Sequence, residues 1–129
     1  MELNHWIIVM LIVLLIVTRF LPVKGITNIT IQEVKEKLSK NNIQFIDVRT
    51  PGEYRRNHQV PFQNIPLYEL TSRTNELNKS LEIVVICQSG IRSSKASRVL
   101  KKRGFNQISN VKGGMSAWNK SEPKKMTAE

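Results

Sequence analysis

Cysteine is nearly absent. A single residue, Cys87, stands in 129. No intramolecular disulfide can form, so a disulfide-stapled secreted scaffold is excluded. A zinc site built from cysteines alone is excluded with it. Acidic residues are also scarce: 10 Asp+Glu against 20 Lys+Arg leave a formal net charge of +10. Aromatics make up only 6%, and no aromatic platform accompanies the basic stretches, which argues against nucleic-acid binding. There is no internal repeat and no low-complexity tract. The length allows one ordinary domain and little more.

Apolar residues are plentiful, at 40%, but unevenly spread: seventeen crowd into residues 1–23. Residues 6–17 (WIIVMLIVLLIV) run without a break. As a helix they cover about 18 Å, short of a hydrocarbon core about 30 Å thick, whereas residues 3–23 cover about 31 Å. The interruptions at Asn4, His5, Thr18, Arg19 and Pro22 sit near the two ends, where polar side chains reach headgroups. A cleaved signal peptide needs a basic start and a small-x-small cleavage site. Here the start carries Glu2 and His5, and no such site follows. The competing reading of a buried core helix is weaker than either. The expectation is a membrane anchor over 1–23, in contact with lipid, followed by a linker over 24–28. Arg19 and Lys24 on one flank and Glu2 on the other place the N-terminus outside and the remaining chain in the cytoplasm. The protein is then a single-pass protein of the cell membrane, and a reducing cytoplasm suits a lone free thiol.

Beyond residue 28 the pattern alternates between strands and helices, the mark of an α/β sheet. Thr30 to Glu33 reads as a capping box opening a helix through Ile31, Val34 and Leu38. Residues 43–48 (IQFIDV) read as a strand, Thr50-Pro51-Gly52 as a turn and 53–56 as a short helix. Residues 65–70 read as a brief extended piece entering a helical turn. Residues 82–87 (EIVVIC) form a β-branched, nearly continuous apolar run, the pattern of a central parallel strand buried on both faces. Residues 93–103 read as a helix stopped by Gly104, residues 107–111 as a further strand, and 115–119 as a short helix.

The chemistry concentrates in Cys87-Gln88-Ser89-Gly90-Ile91-Arg92-Ser93. A buried strand ends at Cys87 and a helix begins a few residues on. Ligands of open α/β sheets bind beyond the carboxyl ends of strands. A tight loop there turns backbone N–H groups inward, Gly90 tolerates the needed backbone angles, and the positive end of the helix faces the same point. Arg92 adds a fixed charge and a fork of donors. A thiol in that cradle is expected to be substantially thiolate, and so a nucleophile. The plainer reading, a small buried strand residue, ignores everything that follows it. The C-x4-R spacing is one residue shorter than the C-x5-R loop of cysteine phosphatases, so it encloses a smaller volume, better suited to sulfur than to phosphate. This disfavours a phosphatase or arsenate reductase.

These residues resemble the single-domain rhodanese-like sulfurtransferase family over about residues 29–120. The pieces are Asp47-Val48-Arg49, Glu53-Tyr54, His58, Asn64-Ile65-Pro66-Leu67, Cys87 to Ser93, and Gly113-Gly114-Met115-Ser116-Ala117-Trp118. One stretch departs from the pattern: Asn57-His58-Gln59-Val60-Pro61-Phe62 stands where the family carries G-H-I-x-G-A. The resemblance implies an α/β rhodanese-like fold, a small parallel sheet flanked by helices, here preceded by one transmembrane helix and followed by a flexible tail over 121–129. It also implies that Cys87 takes a sulfane sulfur from a small anionic donor such as thiosulfate, forming a persulfide, and passes it to a thiol or protein acceptor. Backbone N–H groups of Gln88, Ser89, Gly90, Ile91 and Arg92 hold the persulfide, the Arg92 side chain binds the donor's oxyanion, and no metal or organic cofactor is required. The other class of function the same fold allows is a low-turnover binding or regulatory module at the membrane. Plainer roles are expected elsewhere: a buried structural His58 rather than a proton relay, hydrogen bonding by Asp47 and Arg49 with shaping of the active-site loop as the alternative, core positions for Met115 and Trp118, and a solvated basic face at Lys95, Arg98, Lys101, Lys102 and Arg103, with steering of anionic donors or contact with anionic lipid as the alternatives.

Overall fold

The computed structural model describes residues 2–20 and 24–122. Helix α1 spans Glu2–Phe20, long and apolar enough to cross a membrane, with none of its apolar window buried. Residues 1 and 21–23 of the expected anchor, and the expected tail from 123 on, lie outside the described residues.

The rest alternates strand and helix: β1 (Ile26–Ile29), α2 (Ile31–Lys37), β2 (Ile43–Asp47), α3 (Pro51–Arg56), β3 (Gln63–Asn64), α4 (Leu67–Arg73), a 3-10 turn at Thr74–Glu76, β4 (Glu82–Ile86), α5 (Ile91–Lys102), β5 (Ile108–Val111) and α6 (Gly114–Ser121). The five strands form one sheet in the order β1-β5-β4-β2-β3, and every pairing is parallel. β1 corrects the linker expected over 24–28. It is an edge strand whose Thr27 and Asn28 are exposed, so it lacks the apolar run that marks a strand in sequence. What specifies it is pairing with β5, Ile26 opposite Ile108 and Ile29 opposite Val111.

Strand β4 is central and buried on both faces, as its composition predicts. Ile83 and Val85, and Cys87 just beyond, join the cluster of Leu70, Ala96, Leu100 and Phe105, beneath α4 and α5. Val84 and Ile86 turn to the opposite cluster, with Val34, Phe62, Met115 and Trp118. This period-2 alternation divides one apolar strand between two cores. Met115 and Trp118 are core residues, as expected. Gly104 ends α5 with φ +98°, and the Phe105 amide returns to the Leu100 carbonyl, a C-terminal stop that glycine adopts without steric cost.

The capping signals fall differently from expectation. Thr30 accepts from the Glu33 amide at 3.2 Å, one half of a box. The complete box opens α3: Thr50 accepts from the Glu53 amide, and Glu53 accepts from the Thr50 amide. α3 therefore begins at Pro51, inside the stretch read as a turn, because proline at the first helical positions loses no intrahelical bond.

Candidate active site

Strands β2 and β4 are neighbours, yet the chain leaves β2 toward β3 and leaves β4 toward β5. Their carboxyl ends flank the switch point of the sheet, where open α/β folds bind ligands. Both chemistry-bearing segments end there. Cys87 follows β4, and Asp47 to Arg49 close β2, with the Val48 amide donating to the Ile86 carbonyl.

The loop after Cys87 folds over its own sulfur. The Gly90 amide donates to Cys87 Sγ at 2.9 Å. Ser93 Oγ lies 3.2 Å from the same sulfur. Gly90 has φ +103°, a left-handed conformation that glycine adopts readily. Its carbonyl accepts from the Ser94 amide, the Ser94 hydroxyl and the Ser93 hydroxyl. Helix α5 starts directly at Ile91, two residues earlier than expected. In any α-helix the opening amides have no intrahelical acceptor and carry the positive end of the dipole. Of the amides expected to ring the sulfur, that of Gly90 makes the contact. Those of Ile91 and Arg92 open the helix.

The remaining loop residues separate by burial. Ser89 and Ile91 are exposed at the tip. Gln88 is held on both sides: its Oε1 accepts from Arg49 Nη1 at 3.3 Å, and its Nε2 donates to Ser116 Oγ at 3.1 Å. Arg92, expected to meet a donor's oxyanion, gives Nη1 and Nη2 to the two carboxylate oxygens of Glu53 at 2.6 and 2.8 Å. The Arg92 fork holds the Glu53 carboxyl down at about 2, with help from Thr50 and against partial burial, while Glu53 raises the Arg92 pKa. Cys87 itself is 0% exposed, so its thiol lies beneath the loop rather than on it.

Two further layers hold the loop. Asp47 and Arg49 form a buried ion pair. Arg49 also reaches the Asn57 carbonyl and Gln88, so the pair is satisfied on every side, as burial of charge demands. Asn64 donates to the carbonyls of both Asp47 and Arg49, which ties the Asn-Ile-Pro-Leu piece to the strand end. From the other side, α6 docks its first turn on the loop. The Met115 amide binds the Cys87 carbonyl at 2.8 Å, and the Ser116 amide binds the Gln88 carbonyl at 3.0 Å. A Cβ on Gly114 would overlap the Cys87 carbonyl oxygen and come within 2.8 Å of the Gln88 carbonyl carbon. That close approach is why this position is glycine.

Asp47 and Arg49 therefore do shape the active loop, beyond hydrogen bonding at a strand end. Glu53 and Ser93 are the residues that reasoning from sequence left without a role. Their signal was present, as the Glu of Glu53-Tyr54 and the Ser after Arg92, but nothing along the chain says what they face. His58 is corrected: it is exposed, not buried. Its ring stacks on Tyr54 at 3.9 Å, and Nδ1 lies 2.7 Å from the Tyr54 carbonyl. The altered stretch 57–62 packs against the domain through Phe62. Phe62 is buried edge-on between Phe45 and Trp118, and its carbonyl accepts from the Tyr54 hydroxyl at 2.6 Å.

Two open clefts flank the loop. One, about 420 Å³, is lined by Val48, Pro66, Leu67, Tyr68, Arg92 and Lys95, among others. The other, about 360 Å³, is polar and lined by Arg49, Glu53, Arg56, Asn57, Gln88 and Asn119. Among the described residues no cluster of His, Cys, Asp or Glu could hold a metal ion.

A parallel α/β domain with its only thiol at a strand end, enclosed by a six-residue loop that opens a helix, defines a cysteine-loop class of site. The Rhodanese-like domain family matches residues 30–121, and this chain belongs to that family. The protein named Putative sulfur carrier protein YrkF, from Bacillus subtilis (strain 168), is 42% identical over 95 residues, which cover 73% of this chain and 51% of that one. This chain thus spans about half the length of that relative. A protein named Sulfurtransferase, from Allochromatium vinosum, is 30% identical over 77 residues, covering 60% of this chain and 72% of its own. A rhodanese-like domain protein from Staphylococcus aureus, known as a crystal structure, superposes with a TM-score of 0.67 at 30% identity, covering 80% of this chain and 98% of that one.

Proposed function

We propose that the chain is a sulfurtransferase that carries sulfane sulfur as a persulfide on Cys87. The observation that carries this reading is the environment of Sγ, which receives the Gly90 N–H and lies beside the Ser93 hydroxyl at the amino end of α5. These groups stabilise negative charge on sulfur, in thiolate or persulfide alike. The Cys87 thiolate attacks the outer sulfur of thiosulfate, and a sulfur–sulfur bond forms. The donor's own sulfur–sulfur bond breaks, its electron pair leaving with sulfite. An acceptor thiolate then attacks the outer persulfide sulfur, and Cys87 departs as thiolate. Charge and electrons balance in both steps, so no redox cofactor is needed. With Arg92 paired to Glu53, donor recognition falls to the loop amides and to polar groups lining the flanking clefts.

The same proposal places the protein in the cell membrane, with α1 as a single span, the N-terminus outside and the catalytic domain in the cytoplasm. Arg19 and Lys24 on the inner flank and the lone free thiol support it.

One pair of observations favours a second reading, a low-turnover binding or regulatory module: Cys87 is fully buried, and the Arg92 fork is already occupied. One experiment separates the two. Intact mass after exposure to thiosulfate should rise by one sulfur atom, and the gain should vanish on cyanide treatment and in Cys87→Ser. Turnover of thiosulfate with cyanide, set against hydrolysis of a phosphate ester, then ranks sulfur transfer over phosphatase chemistry. If no sulfur adduct forms on folded protein, the transferase reading fails and the binding module stands.

A further inference from the structure

All five strands are parallel, so the sheet has two unlike edges. The carboxyl edge bears Cys87. The amino edge is where the chain arrives from α1, because Lys24 and Gly25 lead directly into β1. Three residues separate Phe20 from Lys24, and the four residue-to-residue steps span at most about 14 Å even fully extended. With α1 in a bilayer, the amino edge is therefore tethered close to the headgroups.

That edge is strongly basic. Lys24, Lys40, Lys79, Lys102 and Arg103 are exposed there. Lys101 reaches across, and its Nζ lies 2.7 Å from where a Cβ on Gly25 would stand. Lys79 lies against Gly104 in the same way. None of these six side chains has a carboxylate partner among the described residues. Glu82, the carboxylate at the start of β4, is already taken by Lys37 and by the Ser109 hydroxyl. Charge alone does not single out this edge, since Arg55, Arg56, Lys95 and Lys112 stand elsewhere. Charge and tether coincide only here.

We propose that the amino edge of the sheet is a docking surface for anionic lipid headgroups of the membrane that holds α1, and that the Cys87 loop consequently points away from the bilayer. This rests on reading α1 as a membrane anchor. Basic residues near an anionic leaflet are attracted within about a Debye length, roughly 8 Å at physiological salt. The five residues of β4 put the loop about 16 Å beyond the basic edge. The persulfide is then presented to bulk water, and its acceptor is a soluble thiol or protein rather than a lipid-embedded one.

The test uses the full chain in vesicles. A fluorophore is placed on Ser80→Cys at the amino edge, or on Ser89→Cys at the loop tip, each in a Cys87→Ser background, and lipids carry a headgroup nitroxide quencher. With about a third of the lipid anionic, the Ser80 label should be quenched severalfold more than the Ser89 label. The difference should collapse in neutral vesicles and at about 0.5 M salt. Lys79→Gln, Lys102→Gln and Arg103→Gln should each weaken docking about fivefold. If a variant misfolds, the salt titration of the wild-type surface reads the same interaction. Equal quenching of the two labels, or stronger quenching at Ser89, in protein that resists carbonate extraction overturns the docking surface and leaves the anchor standing. Extraction by carbonate overturns the anchor itself, and the docking surface with it.

Discussion

Glu53 and Arg92 are 39 residues apart in sequence and meet fork to fork, at 2.6 and 2.8 Å, where α3 faces the first turn of α5. The pair locks the helix that opens the Cys87 loop to the helix that follows β2. Because Glu53 sits at about 2 against an ordinary 4.5, the pair also links stability to pH. A carboxylate whose folded pKa is lowered contributes stability that is full above its unfolded pKa and is lost as pH falls toward the folded one. Arg92 is 35% exposed, so water screens the pair and its contribution is about 1 kcal/mol. Glu53→Gln should lose that amount near neutral pH. Wild type and variant should converge between about pH 4.5 and about 2. Urea titrations of both proteins across this range check it, and a gap that persists undiminished at the acid end would assign the stabilisation to something else.

Ser93 Oγ lies 3.2 Å from both Cys87 Sγ and the Gly90 carbonyl, and that carbonyl keeps its other donors from Ser94. Ser93→Ala should therefore fold normally yet lose the hydrogen bond that its hydroxyl can give to a persulfide anion. A bond of that kind is worth about 1.5–3 kcal/mol, so sulfur loading should slow by tenfold or more. Stopped-flow loading rates beside thermal melts separate the two effects. A variant as fast as wild type would show that the Gly90 amide suffices.

Gly114→Ala should cost more than an ordinary surface change. The new methyl would meet the Cys87 and Gln88 carbonyls, and φ is +57°. Relief requires α6 to withdraw from the loop, which surrenders the Met115 and Ser116 amide bonds. A loss of at least about 2 kcal/mol is expected, the scale of backbone strain combined with broken hydrogen bonds. Denaturation midpoints measure it. If Gly114→Ala retained wild-type stability, the α6 contact would not be what holds the loop.

Membrane topology can be read with single reporters, since the chain has one cysteine. Cys87 is a poor reporter because it is buried. In a Cys87→Ser background, Leu3→Cys should react with a membrane-impermeant thiol reagent on intact cells. Ser80→Cys should react only once the cells are opened. The reverse pattern would invert the orientation. Mature protein found in the soluble fraction without its first segment would make α1 a cleaved signal.

Much of the domain is legible in the chain because its signals are local. The continuous apolar run of β4, the glycine that stops α5 and the cysteine loop each rest on neighbouring residues, and backbone sterics and side-chain burial act over that distance. So do the apolar length of α1 and the unpaired thiol, which follow from composition alone. Other features have no local signal. Thr27 and Asn28 look like linker, and become a strand only because β5 offers a parallel edge. Glu53 reads only as the first residue of a short helix, and becomes the partner of Arg92 only once α3 and α5 meet. Gly113 and Gly114 stand in sequence only as part of the piece that precedes a short helix, and the tight approach of α6 to the Cys87 carbonyl is visible only in three dimensions. The sequence by itself determined the elements that carry local signals and where the lone thiol lies. Tertiary structure decided what surrounds that thiol, because hydrogen bonds and ion pairs depend on distances that are set only when segments far apart in the chain pack together.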